Sequence, residues 1–134
     1  MVLYELILCD NELSYDDHKE EFLIGIFLSL DTAKEMAEYY LNNIEGFKDY
    51  DCTYNILEKK IVDGKCCNRV WIIWGWDENE ESDEIRVIQS ECYANKQNAI
   101  DQMKELQKEY KRTNWCVDRY YINQCSWKEG FIRV

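Results

Sequence analysis

Apolar positions along this chain fall into two kinds of run, and the kinds alternate in the same order twice. Val2 to Cys9 and Glu21 to Leu28 are short, nearly continuous apolar stretches separated by an acidic segment, which predicts two strands joined by a hairpin loop. The spacing then changes. Ala33, Met36, Ala37, Tyr40, Leu41 and Ile44 stand at i, i+3, i+4, i+7, i+8 and i+11, one stripe of a helix, with Lys34, Glu35 and Glu38 off it. Ser29 is the expected N-cap, because its hydroxyl can accept from a free amide of the first turn, and Asp31 sits where the helix dipole favours an anion. Gly46 is expected to close the helix as a C-terminal cap, and Thr53 to Ile61 reads as a third strand.

The second half repeats this order. Arg69 to Trp76 and Ile85 to Tyr93 form the next predicted hairpin, Asn95 caps a helix with the stripe Ala99, Ile100, Met103, Leu106 and Tyr110, and Val117 to Cys125 is the last strand. Residues recur with the pattern: Phe27-Leu28-Ser29-Leu30-Asp31-Thr32-Ala33 matches Tyr93-Ala94-Asn95-Lys96-Gln97-Asn98-Ala99, from 27 to 93 an offset of 66 residues. Leu3-Tyr4 matches Val70-Trp71, and Tyr54-Asn55-Ile56 matches Tyr120-Tyr121-Ile122. The chain therefore reads as a duplicated ββαβ unit, with repeats over 1–63 and 68–134. Each unit is expected to form an antiparallel sheet in the order third, first, second strand, with a right-handed crossover and its helix on one face. The connector from Asp63 to Asn68 is too short for independent beads, so the expectation is a single compact α+β domain over 1–134 with pseudo-two-fold symmetry.

Composition adds limits. At 134 residues, 46% hydrophobic and 14% aromatic, the chain can bury a sizeable core without a metal, cofactor or disulfide staple. Its seven cysteines are odd in number and no export signal precedes them, which favours reduced thiols. The longest apolar run, Phe22 to Leu30, is too short for a bilayer, and the N-terminus lacks the basic flank and cleavage site of a signal peptide. A soluble, cytoplasmic protein is expected. The net charge of −11 repels nucleic-acid phosphates and anionic membranes and favours a basic protein partner.

The Phe-x-Ser-x-x-x-Ala junction at Phe27, the Gly46-Phe47-Lys48-Asp49-Tyr50 stretch and the closing Trp127-Lys128-Glu129-Gly130-Phe131 resemble a family of small bacterial and phage domains of unknown function. In that family a ββαβ unit commonly ends in Trp-x-Glu-Gly-Phe. The resemblance implies the fold and brings no activity. The first half departs from it, with Lys60-Ile61-Val62-Asp63-Gly64 in place of the closing motif.

Candidate chemistry gathers in the hairpin loops. The first carries Asp10, Glu12, Asp16, Asp17, Glu20 and Glu21, and the second Asp77, Glu78, Glu80, Glu81, Asp83 and Glu84. Equivalent acidic loops suit recognition of a basic partner, through Asp16, Asp17, Glu80, Glu81, Asp83 and Glu84 above all; solvation and edge protection are the structural alternative. Neither loop has the ligand spacing of a calcium hand. Cys66-Cys67 is a vicinal pair, but no Cys-x-x-Cys occurs, so zinc is not expected and most thiols read as small core residues. His18, the single histidine, lies beside Asp16 and Asp17, whose charges favour its protonated form over a neutral general base. With no phosphate-cradling loop or nucleophile elbow either, no enzyme is expected.

On a strand, Trp74 and Trp76 share a face with Ile72, while Trp71 and Ile73 point the other way. One group belongs under the helix; the other is further core or a patch for a protein or ring-bearing ligand. The reading is a non-enzymatic acidic interaction protein, such as an inhibitor or immunity-type protein, that binds a basic partner through the loop acids with Trp74 and Trp76. The alternative is a small-molecule-sensing regulatory module with its site between the halves.

Overall fold

β1 (Val2–Asp10) is the middle strand of a three-stranded sheet, flanked by β2 (Glu20–Phe27) and β3 (Cys52–Lys60) in the computed structural model, which describes residues 1–11, 20–65, 68–78 and 85–132. α1 (Leu30–Asn43) lies between β2 and β3 in sequence. The same order returns as β4 (Arg69–Glu78), β5 (Ile85–Tyr93), α2 (Lys96–Glu109) and β6 (Asn114–Tyr121), with sheet order β5-β4-β6. The α+β class and the two antiparallel ββαβ-like sheets with third, first, second strand order are thus as the sequence predicts.

Local chemistry explains the helices. Ser29 Oγ accepts from Thr32 N at 3.1 Å, and Asn95 Oδ1 accepts from Gln97 N at 2.8 Å and Asn98 N at 3.3 Å, so both expected caps hold free first-turn amides. Ala33, Ala37 and Tyr40 of α1 are buried against Leu6, Leu8, Phe22, Ile24, Phe27 and Phe47, with Met36, Leu41 and Ile44 half-buried beside them. In the other sheet Trp71, Ile73 and Ala99 form the buried group, flanked by half-buried Met103, Leu106, Trp115 and Val117. Trp71 and Ile73 are therefore the pair under the helix. Tyr110 departs from its expected place on the α2 stripe: the helix ends there, so it is the C-cap, 51% exposed, with its ring 6.3 Å from that of Trp115.

Both sheets carry an irregularity at matching positions, between Leu6 and Ile7 in β1 and between Ile72 and Trp74 in β4. In the second, Ser90 Oγ accepts from Ile73 N at 2.9 Å and donates to the Glu91 carbonyl at 2.7 Å, satisfying groups that the bulge takes out of the ladder.

Several boundaries differ from expectation, among them the start of the last strand at Asn114 and not at Val117. Gly46 is not the helix cap: α1 closes at Ile44, whose N–H reaches the Tyr40 carbonyl, and Gly46, at φ +86°, opens the following turn by donating to Asp49 Oδ2. The last strand ends at Tyr121 and not at Cys125, because Tyr121 pairs with Arg69, the first residue of β4, and no partner remains beyond it. Ile122 instead bridges in parallel to Ile26 of β2. β3 likewise stops at Lys60, and Ile61 bridges in parallel to Cys92 of β5.

The chain accordingly divides into two compact units that cut across the repeats: residues 2–59 with 122–134, and Met1 with 60–121. In the second of these, Val62 N donates to the Cys92 carbonyl at 3.0 Å, and the Asp63 carboxylate accepts from Ala94 N and from Asn95 N, the latter at 3.0 Å. The connector segment that carries Val62 and Asp63 is thus the clasp on the N-terminus of α2.

Candidate functional site

β2 is an edge strand of apolar residues, and an uncovered edge of that kind invites pairing with another chain. The C-terminal segment covers it: Asn123 N donates to the Ile26 carbonyl at 2.8 Å and Ser126 N to the Ile24 carbonyl at 2.7 Å. Asn123 adopts φ 63° and Trp127 φ 59°, left-handed conformations uncommon for residues with a Cβ. Hydrogen bonds hold both in place. Asn123 Oδ1 accepts from Leu28 N at 3.2 Å, and the Trp127 carbonyl accepts from Gly130 N at 3.0 Å. Phe131 N then donates to the Glu45 carbonyl, and the Phe131 ring stacks on Phe22 with centroids 4.7 Å apart while Trp127 meets Phe22 edge-on at 4.8 Å. The closing Trp-x-Glu-Gly-Phe segment is therefore an anchor against the core under α1.

Between this segment and α1 lies a cleft of about 500 Å³, lined by Met36, Tyr39, Tyr40 and Ile44 from the helix and by Asn123, Gln124, Cys125 and Lys128 from the returning chain. Tyr40, 1% exposed, forms its inner wall and donates its hydroxyl to the Ser126 carbonyl at 2.8 Å, across 86 residues of sequence. Burial, and secondarily the charge of neighbouring Cys125, push the Tyr40 phenol well above its ordinary range. Burial also raises the Cys125 thiol, and the Tyr40 hydrogen bond and the Lys128 charge offset only part of that rise. A protonated thiol is a poor nucleophile.

The sequence-derived candidates fare unequally. Asp16, Asp17, Glu80, Glu81, Asp83 and Glu84 lie outside the described residues, as do His18 and the Cys66-Cys67 pair. Trp74 and Trp76 occupy the face of β4 opposite α2, where burial fades along the strand from Val70 and Ile72, both 0% exposed, to the half-buried tryptophans. Trp74 spends its donor internally, with Nε1 2.8 Å from Tyr120 Oη. Burial, then the Asp118 charge, raise the Cys116 thiol. Among the described residues no group of three or more His, Cys, Asp or Glu is placed to hold a metal, and no helix is long and apolar enough to cross a membrane.

Acidity is distributed unevenly. The unit of residues 2–59 and 122–134 holds 15 acidic and six basic side chains, a net −9, against 12 and ten, a net −2, in the unit of Met1 and 60–121. On α1 of the acidic unit, Asp31, Glu35 and Glu38 are exposed and make no ion pair among the described residues; Lys34 is the sole base on that helix. Their spacing of four and three residues places them along one side. No family model, curated protein or solved structure matches the chain.

Proposed function

We propose that this chain is a non-enzymatic, cytoplasmic interaction protein that binds a basic protein partner, in the manner of an inhibitor or immunity-type protein. The observation that carries the reading is the concentration of −9 of the −11 charges in one compact unit. Asp31, Glu35 and Glu38 form a fixed acidic row on a capped helix of that unit, a rigid arrangement suited to charge-assisted contacts with lysine or arginine. We include among the proposed partner-binding residues the sequence-derived candidates Asp16, Asp17, Glu80, Glu81, Asp83 and Glu84, with Trp74 and Trp76 as apolar contacts, each within its own unit. A field of this sign steers a basic partner inward and keeps nucleic acid and anionic lipid away. The raised thiols of Cys116 and Cys125 support a binding role over nucleophilic catalysis. The proposed kinship with the bacterial and phage domains adds a fold and no activity.

The test compares wild-type protein with a Glu35→Lys, Glu38→Lys double variant and an Asp16→Lys, Asp17→Lys double variant as baits in native lysate, at low and high salt. The expected result is a partner of basic isoelectric point, held by wild type at low salt, released by high salt and lost from the charge-reversed baits. Capture that is indifferent both to salt and to reversal at these positions overturns the reading.

A further inference from the structure

We propose that the cleft between α1 and the returning C-terminal segment is a binding site for a small organic carboxylate with an apolar or aromatic body. Its volume of about 500 Å³ falls within the range of small-ligand sites, roughly 300–1,000 Å³. Met36 and Ile44, both half-buried, supply the apolar lining, and Tyr39, 52% exposed, offers a ring at the mouth on which an aliphatic or aromatic body can lie.

The polar equipment selects the other end of the ligand. Asn123 uses its side-chain carbonyl to accept from Leu28 N, which leaves its amide N–H groups to donate. The Tyr40 hydroxyl is already committed to the Ser126 carbonyl. Lys128 is exposed and makes no hydrogen bond or ion pair among the described residues, so it stands as a free cation on the rim. Gln124 offers both a donor and an acceptor. The free groups are thus mostly donors, one of them charged, and a carboxylate satisfies them where an amine or a neutral body does not.

The wall is built before any ligand arrives. Asn123 and Trp127, both within the returning segment that forms one wall, hold left-handed backbone conformations, each fixed by the hydrogen bonds described above. Strained residues kept in place along one wall of a cleft reduce the ordering cost of binding. The negative charge of the surrounding unit, with Glu129 next to Lys128 and Glu35 and Glu38 next to Met36 and Tyr39 in sequence, opposes an anion, so the carboxylate must reach Lys128 at close range, where screening is weakest.

Titration of the isotope-labelled full chain with phenylbutyrate tests it, with phenylbutanol as the neutral match and phenylbutylamine as the charge-reversed one. Phenylbutyrate is expected to shift the amide resonances of residues 36–44 and 123–128 saturably at millimolar concentration and to bind more tightly than either analogue. Lys128→Gln, at an exposed position, is expected to weaken phenylbutyrate about three- to tenfold and to leave phenylbutanol unchanged. Tyr39→Ser is expected to weaken both. An absence of saturable shifts with phenylbutyrate, equal binding of the three compounds, or indifference to Lys128→Gln overturns the assignment.

Discussion

Asp63 Oδ2 accepts a hydrogen bond from Asn98 Nδ2 at 2.9 Å, and the same carboxylate takes the backbone N–H groups of Ala94 and Asn95. A residue of the connector thereby acts as a second cap on α2, outside the one that Asn95 provides. Burial alone would raise the Asp63 carboxyl, but the hydrogen bonds from Ala94, Asn98 and Asn95 together lower it below its ordinary value. A depressed folded-state value means that the carboxylate stabilises the fold above the unfolded aspartate pKa, about 3.9, and that this contribution is lost as pH falls through the folded value. Asp63→Ala should cost about 1–2 kcal/mol near neutral pH, with Asp63→Asn between it and wild type. Urea unfolding as a function of pH checks this: the gap between wild type and Asp63→Ala should close below about pH 4, and a gap independent of pH would sink the linkage.

Gly130 gives a second prediction. It lies at φ +78°, and a Cβ built there stands 1.9 Å from the Glu45 carbonyl oxygen, where real atoms cannot sit. Gly130→Ala should therefore cost at least about 2–3 kcal/mol, the left-handed penalty plus displacement of the Phe131 anchor. Gly64 is the control, with φ +128° and nothing within 4 Å of its added Cβ, so Gly64→Ala carries backbone strain alone. Denaturation midpoints should rank wild type, Gly64→Ala, Gly130→Ala, and Trp127 emission should shift red in the last.

What was legible in the sequence was local. Ser29 and Asn95 read correctly as caps because a cap is decided within three residues, and strand parity alone separates Trp71 and Ile73 from Trp74 and Trp76, while which pair lies under α2 is settled only by the fold. The run from Val117 to Cys125 looked like one strand, yet its break after Tyr121 is set by where β4 begins, at Arg69. The sequence reads Asp63 only as the start of a short connector, since its partners are 31 to 35 positions away. The cleft was hidden for the same reason: Tyr40 and Ser126 meet only after the chain has built an entire second sheet. Glu5 is a further case, a carboxylate at 0% exposure on a central strand where apolar patterning expects a surface charge.

Tyr40 and Leu106 occupy matching stripes but should respond differently to truncation. Tyr40 is 1% exposed and packed on Phe47, whereas Leu106 is half-buried. Tyr40→Ala should cost about 3–5 kcal/mol, Tyr40→Phe about 1 kcal/mol through the lost hydrogen bond to the Ser126 carbonyl, and Leu106→Ala about 1–2 kcal/mol. Chemical denaturation of the three variants measures the order, and a Leu106→Ala cost as large as that of Tyr40→Ala would show that α2 is packed as deeply as α1.

The acidic row on α1 makes a prediction about stability as well as recognition. Asp31 and Glu35 stand four residues apart and repel, so Glu35→Lys replaces that repulsion with a favourably oriented acid-to-base pair, worth about 0.3–0.5 kcal/mol on a helix surface. Glu38→Lys works the other way, because it places a second cation four residues beyond Lys34. The single Glu35→Lys variant should melt slightly above wild type at low salt, and the advantage should fade as salt screens both the repulsion and the new pair. In the double variant the two local effects oppose each other, which leaves the reduced net charge and a fold close to wild-type stability. Loss of a basic partner by that double variant would then report on recognition and not on unfolding. If thermal melts instead showed the double variant destabilised by more than about 1 kcal/mol, Glu35 or Glu38 would be holding the fold, and the row could not be assigned to partner binding on the evidence of charge reversal.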